Sequence, residues 1–180
     1  MIKDKFKKLT TYFANKKIVA KDKGHLHRLI EKEIIKHGLN CNLNHIDLSL
    51  IDNISYLFYQ SFPGFNGDIS EWDVSKVKNM NSMFSKSKFN GEISKWDVSN
   101  VENMALMFCE SQFNKDISKW NALNLKKIVY MFDDCPAPVP YWAKIYNFQD
   151  RVLAIDSYNN KEILEKNINT NYANKSLVKI

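Results

Sequence analysis

Phe89-Asn90-Gly91-Glu92-Ile93-Ser94-Lys95-Trp96-Asp97-Val98-Ser99 decides how this chain is read, because the chain says it three times. Phe65-Asn66-Gly67-Asp68-Ile69-Ser70-Glu71-Trp72-Asp73-Val74-Ser75 precedes it, and Phe113-Asn114-Lys115-Asp116-Ile117-Ser118-Lys119-Trp120-Asn121-Ala122-Leu123 follows. The period is 24 residues. A second phrase runs between the copies: Val77-Lys78-Asn79-Met80-Asn81-Ser82-Met83-Phe84, then Val101-Glu102-Asn103-Met104-Ala105-Leu106-Met107-Phe108, then Leu125-Lys126-Lys127-Ile128-Val129-Tyr130-Met131-Phe132. A fixed period of about 20 to 50 residues means a repeat architecture in which each unit is too small to bury its own apolar face.

Stacking must therefore supply the core, and the apolar positions become columns: Phe65, Phe89 and Phe113; Ile69, Ile93 and Ile117; Trp72, Trp96 and Trp120; Phe84, Phe108 and Phe132 beside Met83, Met107 and Met131. Residues 68–72 and their equivalents read as short parallel strands, and residues 77–84 as a short helix or 3₁₀ turn closing each unit. Gly67 and Gly91 fit a tight corner where a positive φ is cheap only for glycine; Lys115 departs there. An inward ladder of Asn66, Asn90 and Asn114 would satisfy corner backbone groups. Ser61, Ser87 and Ser111, with Cys135 in the fourth place, mark a small, half-buried position. A partial earlier copy begins at Ile46, offset by 26 residues, with the two extra residues around Pro63-Gly64.

The wording resembles the BspA-like leucine-rich-repeat family, with its 24-residue repeats of Mycoplasma-lipoprotein type, in which units read F-N-G-D-I-S-x-W-D-V-S-N-V-x-N-M-x-x-M-F. Residues 89–108 match nearly throughout, and the resemblance spans about residues 44–135. It implies surface, adhesion or host-interaction roles, and it fixes no functional residue, because the shared positions are packing positions.

The expected fold is an α/β repeat: a short right-handed leucine-rich-repeat-like solenoid with helical N- and C-terminal caps. Residues 1–43 form the basic helical N-terminal segment and cap, 44–135 the solenoid of one partial and three clear repeats, and 136–180 a Pro-rich turn, helical C-terminal cap and tail. Ile2, Phe6, Leu9 and Phe13 share one helical face with lysines around the rest, suited to docking on the protein or to an anionic surface. A second helix, residues 25–37, places Leu26, Leu29, Ile30 and Ile34 on one side and stops at Gly38. Alternate prolines at Pro136, Pro138 and Pro140 end the repeat rhythm. Phe148, Val152, Ile155 and Ile163 mark a carboxy-terminal helix, with a frayed tail from Asn167; an open solenoid end and an exposed Trp142 are the two candidate dimer contacts, between which the pattern does not decide.

Charge is uneven. Residues 1–40 hold ten lysines and Arg28 against four acids, a net of +7; residues 41–135 come to −3 and the remainder to +2. Three cysteines are too few for a disulfide framework, which fits a reducing compartment. The basic start is followed by no continuous apolar stretch, and no run approaches the roughly 18 apolar residues of a membrane span, so no transmembrane segment is expected and the default address is cytoplasmic. His25, His27, His37, Cys41 and His45 carry ligand chemistry, but their spacing matches no zinc-finger pattern, so no metal and no cofactor are expected.

The recurring carboxylates Asp68, Glu92, Asp116, Asp73 and Asp97 occur once per unit, which reflects architecture rather than an acid/base pair, and no phosphate loop, GxSxG or HExxH occurs. The expected function is a non-enzymatic protein–protein interaction module using the solenoid faces. Partner-binding candidates are Glu71, Lys95 and Lys119 on one face and Lys76, Lys86, Lys88, Asn100, Glu110 and Gln112 on the turns. An intracellular inhibitor or decoy of a bacterial complex, for example one of anti-phage defence, would fit the missing export signal. The alternatives are nucleic-acid or nucleoprotein binding through the basic patch Lys3, Lys7, Lys8, Lys16, Lys17, Lys21, Lys23 and Arg28, or surface adhesion if the chain is exported.

Overall fold

The computed structural model describes residues 17–145 and 147–177. The Ile2–Phe13 helical face and Lys3, Lys7, Lys8 and Lys16 of the basic patch lie outside the described residues. Strand β1 (Ile18–Val19) leads to helix α1 (Lys23–His37), strand β2 (Ile46–Asp47), a 3₁₀ turn (Tyr141–Lys144) and helix α2 (Phe148–Leu177). The expected α/β leucine-rich-repeat-like solenoid with helical caps is overturned. Among the described residues there are two α-helices and one two-stranded sheet, β1 parallel to β2, and the three clear units contain neither a strand nor a helix, β2 lying in the partial first one. Residues 68–72 and 77–84, expected as strand and closing helix, are successive turns with single bridge pairs such as Asn53 with Asn79, Asn79 with Asn103 and Asn103 with Lys127.

The reason is local. Asx and serine positions recur so closely that the backbone turns before a strand can extend. Asp68 Oδ1 accepts from Ser70 N–H at 3.0 Å, Asp73 Oδ1 from Ser75 N–H at 3.0 Å, and Asn79 Oδ1 from Asn81 N–H at 3.0 Å, each a side chain closing its own turn two residues on. Two further corners per unit use the left-handed region: Tyr56, Ser82, Leu106 and Tyr130 at φ 58, 53, 60 and 56°, and Gln60, Lys86, Glu110 and Asp134 at 53, 56, 55 and 51°. Such a corner costs a non-glycine residue about 1–2 kcal/mol, so packing must hold it.

Packing does so through the aromatic columns. Phe65, Phe89 and Phe113 stack at centroid distances of 6.1 and 6.4 Å with interplanar angles of 3°, and Trp72, Trp96 and Trp120 at 6.5 and 6.4 Å. Phe84 lies 4.3 Å from Phe89, which locks the two phrases of adjoining units together. Each fully buried ring of this kind contributes about 2–3 kcal/mol, and the inner phenylalanines are all 0 % exposed.

Gly67 and Gly91 are required for space rather than for φ. A Cβ on Gly67 would stand 2.1 Å from the Cys41 carbonyl oxygen, and one on Gly91 2.8 Å from the Phe89 ring, whereas the only described glycine with positive φ is Gly38, at the end of α1. The asparagine ladder forms, but on the outer surface: Asn90 N–H donates to Asn66 Oδ1 at 2.8 Å and Asn114 N–H to Asn90 Oδ1 at 3.1 Å, with Asn66 and Asn114 exposed. Ser87 and Ser111 are buried, while Ser61 is exposed.

Asp22 caps α1 by accepting from His25 N–H at 2.7 Å, and Gly38 N–H closes its end on Ile34 O. Leu26 and Ile30 face the stack, and His27 stacks on Phe62 at 4.7 Å. At the other end Trp142, a candidate dimer contact if exposed, is fully buried, and its indole N–H finds no acceptor among the described residues. Helix α2 continues past Asn167, where the sequence suggests a frayed tail.

Candidate interaction surface

Every proposed partner-binding side chain, Glu71, Lys76, Lys86, Lys88, Lys95, Asn100, Glu110, Gln112 and Lys119, is exposed. The stack divides them among separate faces. Glu71 and Lys95 border one shallow depression of about 280 Å³ together with Ser70, Glu92 and Ser94. Lys76 and Asn100 line another, about 480 Å³, with Leu50, Asp52 and Lys78. Lys86 and Glu110 pair with each other at 3.3 Å, and their carboxylate–ammonium contact holds the Lys86 ammonium pKa above its ordinary value. Lys88 and Gln112 donate their backbone N–H groups to Pro63 O and Ser87 O, so the main chain there is structural and only the side chains are available.

Cross-unit ion pairs run along the outside. Lys115 meets Glu92 at 3.0 Å and Lys126 meets Glu102 at 2.8 Å, the latter drawing the Glu102 carboxyl below its usual range. Exposed pairs of this type contribute less than about 1 kcal/mol each; they set the pattern of the surface more than its stability. The repeated aspartates are committed to the backbone. The Ser70 amide holds Asp68 low, the Ser75 hydroxyl and amide hold Asp73 low, and the Ser118 amide holds Asp116 low. Carboxylates kept ionised in this way make poor general acids.

Of the basic patch within the described residues, Lys17, Lys21 and Arg28 are exposed, but Lys23 is half-buried. Its Nζ donates to Ser55 Oγ at 2.9 Å and burial lowers its pKa, so it pins α1 to the first unit. Of the histidine–cysteine group, His37 and His45 meet at Glu33, 3.7 and 3.9 Å from their Nε2 atoms, while Cys41 is buried and burial pushes its thiol up. Among the described residues no group of three or more His, Cys, Asp or Glu side chains is arranged to hold a metal ion.

Two features escaped the sequence pattern. The stack's hydrogen bonds reach back to Leu39 and Cys41, whose carbonyls accept from Asn66 and Asp68 N–H at 3.0 Å, although of residues 39–45 only Asn40, 26 residues before Asn66, repeats the later wording identically. Arg151, which the sequence shows only as one charge in the +2 of residues 136–180, is 1 % exposed; its Nε donates to Ile145 O at 2.9 Å and its Nη1 to Leu125 O. Its spacing of four from buried Ile155 on α2 was the available signal.

A stack of turn units with a shared aromatic core and separately varied outer columns defines the chain as a repeat protein. More particularly, residues 30–140 match the family model described as "Mycoplasma protein of unknown function, DUF285", and the chain belongs to that repeat-containing family. No curated protein and no solved structure matches the chain. No helix among the described residues is long and apolar enough to cross a membrane.

Proposed function

We infer that this protein is a non-enzymatic interaction module that presents the outer columns of its stack to another protein. One observation carries the inference. Buried columns repeat with the same residue type, phenylalanine on phenylalanine and tryptophan on tryptophan, while the exposed column Glu71, Lys95, Lys119 reverses charge along its length. Stacking needs identical shapes inside; it does not need a changing sign outside, which is what selective recognition uses. The repeated aspartates, tied to serine amides, support a structural rather than a catalytic use.

The repeat wording further relates the chain to BspA-like proteins, best known as surface, adhesion or host-interaction proteins, which is consistent with a binding role. The setting proposed is cytoplasmic, with the module acting as an inhibitor or decoy that occupies a bacterial complex such as one of anti-phage defence. A second function, electrostatic binding of nucleic acid, is favoured by the net +7 of residues 1–40 and by exposed Lys17, Lys21 and Arg28. Lysine-dominated binding of that kind is steeply salt-dependent.

Affinity capture from lysate at low and high salt, with and without nuclease, separates the two. A defined protein retained through high salt and nuclease, and lost on exchanging Glu71→Lys with Lys95→Glu, supports the stack surface. Loss of all partners under both treatments sinks it in favour of the electrostatic function, and fractionation of the chain to the cell surface removes the cytoplasmic setting.

A further inference from the structure

Hydrogen bonds between units run both ways, Glu102 and Asn103 N–H donating back to Lys78 O, but along residues 80–86 and 104–110 every bond to the following unit is given by an N–H. Met80, Ser82, Phe84 and Lys86 donate their N–H groups to the carbonyls of Asn103, Ala105, Met107 and Cys109 at 2.8, 2.9, 2.9 and 2.9 Å. Met104, Leu106, Phe108 and Glu110 donate in turn to Lys127, Val129, Met131 and Asp133 at 2.9, 3.0, 2.9 and 2.7 Å. In the last unit the equivalent donors are Ile128, Tyr130, Phe132 and Asp134, and none of the four N–H groups has an acceptor among the described residues. The carbonyls of Tyr130 and Phe132 are engaged locally by Asp133 and Cys135 N–H. This edge is therefore a row of donors with no matching row of acceptors.

Its surroundings are uncovered. Phe132 is partly exposed where Phe84 and Phe108 above it are 0 % exposed, and Val129 and Tyr130 are 51 % and 60 % exposed. Asp133 and Asp134 flank the row, both exposed, and no ion pair to either occurs among the described residues. In the column above, Lys86 neutralises Glu110 at 3.3 Å; Asp134 ends that column.

We propose that this edge, residues 128–134, docks a flexible, lysine-rich segment of a partner protein, which supplies main-chain carbonyls to the four N–H groups and ammonium groups to Asp133 and Asp134. An unpaired backbone row is a template for an added chain, and the two carboxylates select the charge of that chain while disfavouring a free anion. A second copy does not fit. Edge to edge, two copies would set N–H against N–H. Head to tail, the first unit is already covered by β1 and α1: Ile18 and Ala20 N–H donate to His45 O and Asp47 O, Lys23 Nζ reaches Ser55 Oγ, His27 lies against Phe62, and Leu26 and Ile30 are buried there. The proposal deepens the interaction-module function, on which it rests, by placing one contact and naming the chemistry of the partner.

The probe is a blocked synthetic peptide copying residues 102–112, the segment that accepts the same kind of donor row one unit earlier, with Cys109→Ser and with Glu110→Lys, the position that faces Lys86 in the inner units and Asp134 at the edge; the comparison peptide keeps Glu110. In the full chain, amide hydrogen exchange at Ile128, Tyr130, Phe132 and Asp134 is expected to be fast while Met104, Leu106, Phe108 and Glu110 are protected. The lysine peptide is expected to slow the four edge amides and to bind about threefold more tightly than the glutamate peptide at low salt, the equivalent of one exposed ion pair. The double variant Asp133→Ser, Asp134→Lys, which copies Ser85 and Lys86 of an inner unit, should abolish that preference and remain folded. Edge amides already protected in the chain alone would mean that the chain itself or a second copy fills the edge, and would overturn the proposal. So would equal binding of both peptides, or binding without protection at the four amides. A captured protein that leaves these amides unprotected would sink the edge contact and leave the interaction-module function standing.

Discussion

Trp96 donates its indole N–H to the carbonyl oxygen of Ile69 across 3.2 Å, so the largest side chain of one unit holds the main chain of the unit before it. Trp72 and Trp120 do the same to Leu43 O and Ile93 O at 2.9 and 3.1 Å. Each tryptophan thus both fills space and satisfies a carbonyl that stacking has removed from water.

The two contributions separate by mutation. Trp96→Phe keeps a stacked ring and loses the hydrogen bond, an expected destabilisation of about 1–2 kcal/mol. Trp96→Ala also opens a cavity between Trp72 and Trp120 and should cost about 3–5 kcal/mol. Urea unfolding of both variants checks the order; equal losses would show that the indole N–H dominates.

Gly67 and Gly91 occupy the same repeat position but should differ. Alanine at Gly67 meets the backbone oxygen of Cys41, which cannot swing aside, whereas at Gly91 the nearest backbone oxygen is 3.4 Å away and the closer atoms belong to the Phe89 ring. Gly67→Ala is expected to cost at least about 2–3 kcal/mol and Gly91→Ala less. Thermal unfolding of the two single variants is the measurement, and a milder Gly67→Ala would contradict the close approach.

Lys86 holds a left-handed backbone at φ 56° with an exposed ion pair as its only side-chain contact of consequence. Lys86→Asn exchanges that weak pair for a residue at ease in this region and should stabilise the chain by roughly 0.5–1 kcal/mol. A loss of stability in denaturant titration would show that the corner carries no backbone strain.

Asp68, Asp73 and Asp116 all have carboxyl pKa values lowered by serine two residues on, with the Ser75 hydroxyl the largest cause at Asp73. A pKa depressed in the folded chain gives stability that is present above the ordinary unfolded value of about 3.9 and is lost as pH falls through the lower folded value. Carbon-detected titration should place the three carboxyls below that value, and Ser75→Ala should return Asp73 upward while leaving Asp116 unmoved.

Tyr141 behaves in the opposite sense: burial first, then the neighbouring Tyr158, push its hydroxyl up to about 12. Its contribution is complete below pH 10, the ordinary value, and falls as pH rises toward about 12. Ultraviolet titration should show one tyrosine ionising late, and Tyr158→Leu should shift it toward its neighbours.

How much was legible follows from these residues. The tryptophan and phenylalanine columns could be read directly, because a 24-residue period places like side chains above one another whatever the backbone does between them. The surface candidates were legible as exposed positions for the same reason. Strand and helix were misread because period alone does not distinguish an extended segment from a chain of Asx turns; Asp68–Ser70 and Asn79–Asn81 bonds decide that, and they are local geometries. Lys23 was placed in the basic patch, and nothing marked Arg151 as buried, because sequence shows a cation's type but not what covers it.

Repetition, then, was determined by the amino-acid order alone: identical side chains at a fixed interval have one economical arrangement, in register. The prolines from Pro136 also mark in the sequence where that register stops; only the folded chain decided that its last row of donors is left unmatched. The last donors, Ile128, Tyr130, Phe132 and Asp134, carry the same backbone chemistry as those above them, and they differ solely because no further unit lies beneath to accept their hydrogens.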